Sequence, residues 1–140
     1  SDYAYAAANT TYELSYTADS NNEGLPINGS RITFSETGYY LVSFSAQIFS
    51  SSASTVEFVF WPKKNGTNMA GSTIRAALHG NAETTVVSRA VIIHATANDY
   101  LEVATACDST NGSLKAFAAS GISDEPACPA TTLTIIRVHR

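Results

Sequence analysis

Three histidines are the first side chains in this sequence that suit catalysis or metal binding, because imidazole titrates near neutral pH and is a common zinc ligand. They are His79, His94 and His139. No second histidine lies three or four residues from any of them, the spacing that places two ligands on one face of a helix. We therefore interpret all three as ordinary strand or surface residues.

Serine nucleophiles and paired carboxylates are the next candidates for chemistry. The Gly-x-Ser-x-Gly sequence that exposes a nucleophilic serine on a sharp turn is absent. A glycosidase needs two carboxylates that face one bond. The available carboxylates are scattered along the chain: Glu57, Glu83, Glu102 and Asp108. The sequence therefore predicts no enzyme.

Residues 108–113 read Asp-Ser-Thr-Asn-Gly-Ser, in which alternating oxygen-bearing side chains and a glycine resemble a calcium loop. The loop lacks the glutamate that supplies two ligand oxygens at the end of such loops. We predict a polar connection between strands and no cofactor, with calcium binding as the alternative.

Two cysteines, Cys107 and Cys128, are too few for a disulfide framework and lack the closely spaced pairs of a zinc site. Either both are small buried side chains or they form one disulfide. The sequence leaves these two possibilities open.

Charge and hydrophobicity exclude two classes of partner. The formal net charge is −4, and the only adjacent basic residues are Lys63 and Lys64, so no basic surface for nucleic acid is expected. We interpret this lysine pair, beside Asn65-Gly66, as solubilising turn residues, with contact to an acidic glycan or phosphate as the alternative. No apolar run reaches the roughly 18 residues of a membrane span, which predicts a soluble chain without membrane insertion. At 140 residues it forms one domain.

The elements that position these residues are predicted to be strands, because hydrophobicity alternates with a period of two and no helical pattern is sustained. Residues 39–49 alternate most clearly, with Tyr40, Val42 and Phe44 on the predicted core face. A further strand over residues 56–60 is expected to end at Trp61-Pro62. Six more strands are predicted, at residues 31–34, 72–78, 84–95, 100–106, 113–120 and 131–138.

The predicted organisation is an N-terminal arm and loop over residues 1–29, followed by a head domain over residues 30–140. Residues 86–93 and 133–138 are apolar on both faces, so each strand needs cover on both sides. One side is the core of the domain. Because no helix is predicted to cover the other side, we expect a second copy of the same sheet there. This pattern favours an all-β sandwich of two antiparallel sheets that forms a closed oligomer.

Three segments carry a resemblance to a known family: SETGYYLVSFSAQI at residues 35–48, FVFWPKKNGT at 58–67 and VIIHATANDYLEV at 91–103. In this order they resemble the complement C1q/tumour necrosis factor jelly-roll superfamily. The matching features are the run Gly38-Tyr39-Tyr40 and the turn Asn65-Gly66, while Asn98-Asp99 stands where the family has Gly-Asp. Trp61 before the turn and the Pro-x-x-Pro of EPACPATTLTIIRV, at residues 125–138, are most similar to the bacteriophage branch.

The resemblance implies a homotrimeric jelly-roll head on a phage fibre, tail or capsid. The implied location is therefore the virion, and the implied role is structural or adhesive. Its partners would be other virion proteins and a glycan or protein on the host surface. The alternative is a non-viral trimeric binding head of the same superfamily, such as a collagen or exosporium tip or a lectin-like module.

Within that trimer, the second face of the strand at residues 39–49 is the predicted seam. The predicted seam residues are Tyr39, Leu41, Ser43, Ser45, Gln47 and Ile135, with Ile136 and Val138 as the alternative parity in the last strand. Receptor contact is expected from loops that share one end of the domain. The predicted loop residues are Ser51, Ser52, His79, Asn81 and Glu83. Whether residues 121–130 join this end is left open.

Overall fold

The computed structural model describes residues 2–140, and all the regular secondary structure in that range is β-strand. No helix capable of crossing a membrane occurs within the described range. The prediction of an all-β chain is confirmed. The twelve strands are β1 (Tyr3–Ala4), β2 (Tyr12–Glu13), β3 (Ile27–Asn28), β4 (Arg31–Thr33), β5 (Gly38–Ser50), β6 (Val56–Lys64), β7 (Thr67–Asn68), β8 (Ile74–Leu78), β9 (Glu83–Ala95), β10 (Tyr100–Cys107), β11 (Gly112–Leu114) and β12 (Thr131–His139).

The strands form two antiparallel sheets. In the first sheet, β5 pairs along its whole length with β9 on one edge and with β11 and β12 on the other, and β1 extends the sheet beyond β11. In the second sheet, β10 pairs with β6 on one edge and with β2 and β4 on the other. The second sheet is completed by β3 beside β4 and by β7 and β8 beside β6.

The alternation predicted for β5 is confirmed, since Tyr40, Val42 and Phe44 are all buried. These side chains meet the second sheet: the rings of Phe44 and Phe60, which lies on β6, are 5.2 Å apart between centroids. The two sheets therefore lie face to face, as in a β-sandwich, and burial of these aromatic side chains is the main source of their mutual stability.

The N-terminal arm packs into the head domain. β1 pairs with β11, β2 with β10 and β3 with β4, so the arm contributes one strand to the first sheet and two to the second. Tyr5 and Leu14 are each only 2% exposed and belong to the same core cluster as Phe58. Folding of the head thus includes ordering of the arm.

The predicted end of β6 at Trp61-Pro62 is wrong, because the strand continues to Lys64. Pro62 pairs with Val103 on one side, and on the other its carbonyl accepts the Met69 N–H in the gap between β7 and β8. Proline has no backbone N–H, but on this side of β6 no strand residue of the described chain lies opposite Pro62 to accept one. No strand hydrogen bond is lost, which explains why proline is tolerated here. Asn65 and Gly66 do form the predicted turn, both with positive φ.

The strand predicted at residues 113–120 is also shorter than expected. β11 ends at Leu114, and beyond it only an isolated bridge joins Phe117 to Cys128. The reason is competition for one edge: β11 occupies the edge of β5 from Ile48 to Ser50, and β12 takes the same edge from Ala46.

Candidate functional site

The side of the first sheet that faces away from the core is the main candidate for a binding surface. We call it the outer face. In antiparallel strands, directly paired residues project to the same side, so the pairing of β5 with β9 and β12 defines its members. They are Tyr39, Leu41, Ser43, Ser45, Gln47 and Phe49 on β5, Thr84, Val86, Ser88, Ala90, Ile92 and His94 on β9, and Thr132, Thr134, Ile136 and His139 on β12.

An apolar row crosses the outer face from strand to strand. Leu41 pairs with Ile136 on one side and with Ile92 on the other. Ile92 is 65% exposed and Ile136 is 53% exposed, while Val86, beside Gln47, is 60% exposed. An exposed apolar row such as Ile92, Leu41 and Ile136 on three adjacent strands is typical of interaction surfaces.

An aromatic row borders the apolar row. The Tyr39 ring lies edge-on between two imidazoles, with its centroid 4.9 Å from that of His94 and 5.9 Å from that of His139. Two of the three histidines thus flank a tyrosine on the outer face, whereas His79 lies in a loop at the opposite end of β5. The structure does not bring the three together.

The centre of the outer face is built from small side chains. Ser43 lies between Ala90 and Thr134. In the next row Ser45 lies beside Thr132, and their hydroxyl oxygens are 2.6 Å apart in a hydrogen bond. Because these hydroxyls satisfy each other, the centre presents a shallow surface that an opposing sheet can approach closely.

The outer face carries no Asp, Glu, Lys or Arg side chain among the members named above. The nearby charges lie at its borders or on the other side of the sheet. Arg89 points inward and its guanidinium donates to the Thr73 carbonyl at 2.7 Å, while the Lys115 ammonium lies 4.2 Å from the centre of the Phe49 ring. Depletion of charge at the centre of an exposed patch is typical of protein–protein interfaces.

The predicted seam residues do not all lie on one side of the sheet. Ile135 pairs with Val42 and packs against the core, so it does not belong to the outer face. Ile136, from the alternative parity, pairs with Leu41 and does belong to it. Val138 lies at a bulge opposite Tyr39 and is 49% exposed. The other predicted seam residues, on β5, all project to the outer face.

The predicted receptor residues lie at one end of the sandwich, in the loops at residues 51–55 and 79–82 and at the start of β9. The two loops touch, because the hydroxyl of Thr55 and Nδ1 of His79 are 3.1 Å apart. Ser51, Ser52, His79 and Asn81 lie in these loops, and Glu83 begins β9 directly after them.

Glu83 organises its own turn. Its carboxylate accepts the backbone N–H of His79 at 2.6 Å and that of Gly80 at 3.3 Å. One carboxylate oxygen of Glu83 is used in this way. The position of Glu83, four residues after His79, is therefore explained by the turn and requires no catalytic or metal-binding pair of the two side chains.

A third loop joins the same end, and the sequence did not reveal it. The Ser51 N–H donates to the Asn111 carbonyl at 3.1 Å, which brings residues 108–111 beside residues 51–55. Asp108 accepts the Glu57 N–H at 2.9 Å through its carboxylate. The strands on both sides place this segment here: Cys107 at the end of β10 pairs with Phe58, and β11, which is three residues long, pairs with the end of β5. We call these three loops the loop cluster.

The structure also places the residues considered for metal binding and for a disulfide. Across residues 2–140, no three His, Cys, Asp or Glu side chains come together as a set able to hold a metal ion. Cys107 is buried in the core, and Cys128 is exposed beside Gln47, whose amide donates to its sulfur at 3.0 Å. The two cysteines are not bonded, and burial raises the pKa of the Cys107 thiol.

Comparison of the sequence with protein-family models and with curated proteins gives no match.

Proposed function

We propose that this chain is a non-enzymatic head domain of jelly-roll type that assembles as a homotrimer through the outer face. The observation that carries the proposal is the character of that face. Ile92 and Ile136 are exposed on either side of Leu41, and no side chain among the members of the face is formally charged. Val86 is a further exposed aliphatic side chain, beside Gln47 toward the other end of β5. Such a surface is costly to leave in water.

A second copy of the same chain is the occupant that this geometry favours. The centre of the outer face is built from small side chains, and its apolar row lies to one side of that centre. Cyclic symmetry joins identical copies around a closed ring, so each copy covers its neighbour and no apolar face remains open. Residues 2–140 contain no helix that could cover the face from within the chain.

The loop cluster is the part of the head that we assign to recognition. Its side chains are mainly hydroxyl and amide groups, and strands occupied in the core and in the seam leave loops as the surface for contact. Three copies present three identical loop clusters on one particle, so contacts that are weak individually add through multivalency.

The setting we propose is the virion of a bacteriophage, on a fibre, tail or capsid. The support is the resemblance of residues 35–48, 58–67 and 91–103 to the C1q/tumour necrosis factor superfamily, together with Trp61 and the Pro-x-x-Pro sequence of the phage branch. The partners would be other virion proteins and a glycan or protein on the host surface.

Substitution of Leu41 with Asp tests the assembly. A carboxylate at the centre of the apolar row would be buried without a partner in the trimer but solvated in the monomer, so the variant should remain folded and lose assembly. The measurement is molar mass by light scattering together with circular dichroism.

Ile122→Asp is the matched control, because Ile122 is an aliphatic side chain that is 91% exposed, lies outside the strands and is not a member of the outer face. It should assemble as the unmodified protein does. A Leu41→Asp protein with unchanged mass would overturn the assignment of the outer face as the seam.

A further inference from the structure

The edge of the first sheet formed by β12 is open. β12 pairs with β5 on one side, and no strand among residues 2–140 pairs with its other side. The Gln47 N–H donates to the Ala130 carbonyl at 2.8 Å, and alternate residues of an antiparallel strand bond to the same neighbour. Thr132, Thr134 and Ile136 therefore face β5 with their backbone groups, and the N–H and C=O groups of residues 131, 133 and 135 face the open edge.

This edge lacks the usual protection against strand addition. Natural sheet edges carry lysine, proline or a bulge that prevents another strand from pairing. Residues 131–136 read Thr-Thr-Leu-Thr-Ile-Ile, which contains neither lysine nor proline, and the bulge of β12 comes later, between Arg137 and His139. The open edge is a segment of high β propensity about six residues long.

The open edge forms one wall of a groove of about 840 Å³. The opposite wall is the segment at residues 15–25, and Ile27 and Ile32 also line the groove. The two walls touch at one point, where the hydroxyl oxygens of Tyr16 and Thr131 are 3.1 Å apart. An extended peptide is the shape that matches a groove running beside a strand edge.

The charge of the groove selects the occupant. Asp19 and Glu23 line it, and no Lys, Arg or His does. Pairing of two copies of this chain edge to edge would bring these carboxylates toward their own counterparts, in a chain whose formal net charge is already −4. A partner strand with basic side chains gains instead from both carboxylates.

We propose that the β12 groove binds an extended, basic peptide segment of a partner protein by adding it as a strand to β12. Backbone hydrogen bonds to residues 131, 133 and 135 supply affinity, and Asp19 and Glu23 supply the preference for positive charge. This site differs from the outer face, since it uses the backbone edge of β12 and not its exposed side chains, so it does not depend on trimer formation.

The test uses two capped hexapeptides, Lys-Val-Thr-Val-Lys-Val and Glu-Val-Thr-Val-Glu-Val, titrated into the full chain by calorimetry and followed by amide NMR. We expect the lysine peptide to bind at least about fivefold more tightly, as two exposed ion pairs allow. The amide signals of Thr131, Leu133 and Ile135 should shift on binding.

The double variant Asp19→Lys, Glu23→Lys should reverse the preference, and Glu57→Lys, which lies outside the groove, should leave it unchanged. If neither peptide binds, the proposal is overturned. It is also overturned if the two peptides bind equally tightly to the unmodified chain and equally tightly to the double variant. Concentration-dependent shifts of the same three amides without peptide would also overturn it, in favour of a second copy at this edge.

Discussion

At the scale of single residues, the hydroxyl of Tyr5 is the clearest case of a polar group held in the core. Thr105 donates its hydroxyl hydrogen to the Val59 carbonyl at 2.9 Å, so Tyr5 must donate to Thr105 across 2.6 Å. Burial raises the pKa of Tyr5 far above its usual value of 10.0. Burial also raises the pKa of Tyr16, to about 12. Both groups stay protonated in the folded chain at pH values where an unfolded chain loses their protons.

This difference predicts alkaline destabilisation. The stabilisation from a raised tyrosine pKa is complete below the unfolded pKa of about 10 and is lost as pH rises above it, by up to about 1.4 kcal/mol per pH unit for each group. Tyr5→Phe should lower the free energy of unfolding by about 1 kcal/mol at pH 8, because it removes one hydrogen bond. Above pH 10 the free energy of unfolding should fall less steeply with pH than in the unmodified protein, because one ionisable group has been removed. Urea unfolding between pH 8 and 11.5 measures both effects.

Thr105→Val is the control for this experiment, because it removes this hydrogen bond, together with the one to the Val59 carbonyl, but leaves Tyr5 able to ionise. Its free energy of unfolding should fall above pH 10 as steeply as that of the unmodified protein. Identical slopes for Tyr5→Phe and Thr105→Val would show that Tyr5 is not the buried proton-holding group.

At the scale of strands, the sequence predicted β5 almost to its ends and with the correct face inward. It could do so because polar and apolar residues alternate there, which makes one parity much more favourable than the other. β12 is different: its residues 133–138 are apolar on both faces, so only the pairing of Ile135 with Val42 decides which side points inward. Pairing between distant strands is not written in a local pattern, and for the same reason the role of residues 108–111 was missed.

The arm shows a second limit of sequence reasoning. Tyr3 and Tyr5 have the two-residue spacing of a strand, but the alternation ends after them and Tyr12 stands apart. Their three rings nevertheless pack edge to face, with centroids 5.5 to 6.4 Å apart. Short strands such as β1 and β2 are stabilised by tertiary contact, and their local propensity is a weak signal.

Packing of β11 against β6 gives a prediction at this scale. A Cβ atom added at Gly112 would lie 2.5 Å from the Cys107 sulfur and 2.9 Å from the Phe58 ring, both inside the core. Gly112→Ala should therefore destabilise the chain by about 1–3 kcal/mol through overpacking. Gly80→Ala is the control, because its Cβ would meet only the Glu83 side chain, at 3.8 Å. Gly71→Ala is unsuitable, because the φ of Gly71 is +76° and alanine would be strained there.

Thermal unfolding followed by circular dichroism measures this effect. Gly80→Ala should unfold within a few degrees of the unmodified protein, and Gly112→Ala clearly below it. Equal midpoints for the two variants would show that the strand contact is looser than described.

At the scale of the whole molecule, the sandwich separates two surfaces. The outer face lies on one side of the first sheet, and the loop cluster lies at the end of the sandwich where β5 ends and β9 begins. A head built this way can assemble through its side while its end stays free. The sequence pointed to one face of β5 and to two of the three loops, and the structure supplied the register that decides which residues share each surface; assembly and recognition stay predictions.

Molar mass in solution tests the central claim most directly. Sedimentation equilibrium of the unmodified chain at micromolar concentration should give three times the single-chain mass of 14.8 kDa. The same mass should persist in high salt, since the outer face has no ion pairs to screen. A mass of 14.8 kDa throughout that concentration range would show that water, and not sister chains, covers the outer face, and would contradict the account.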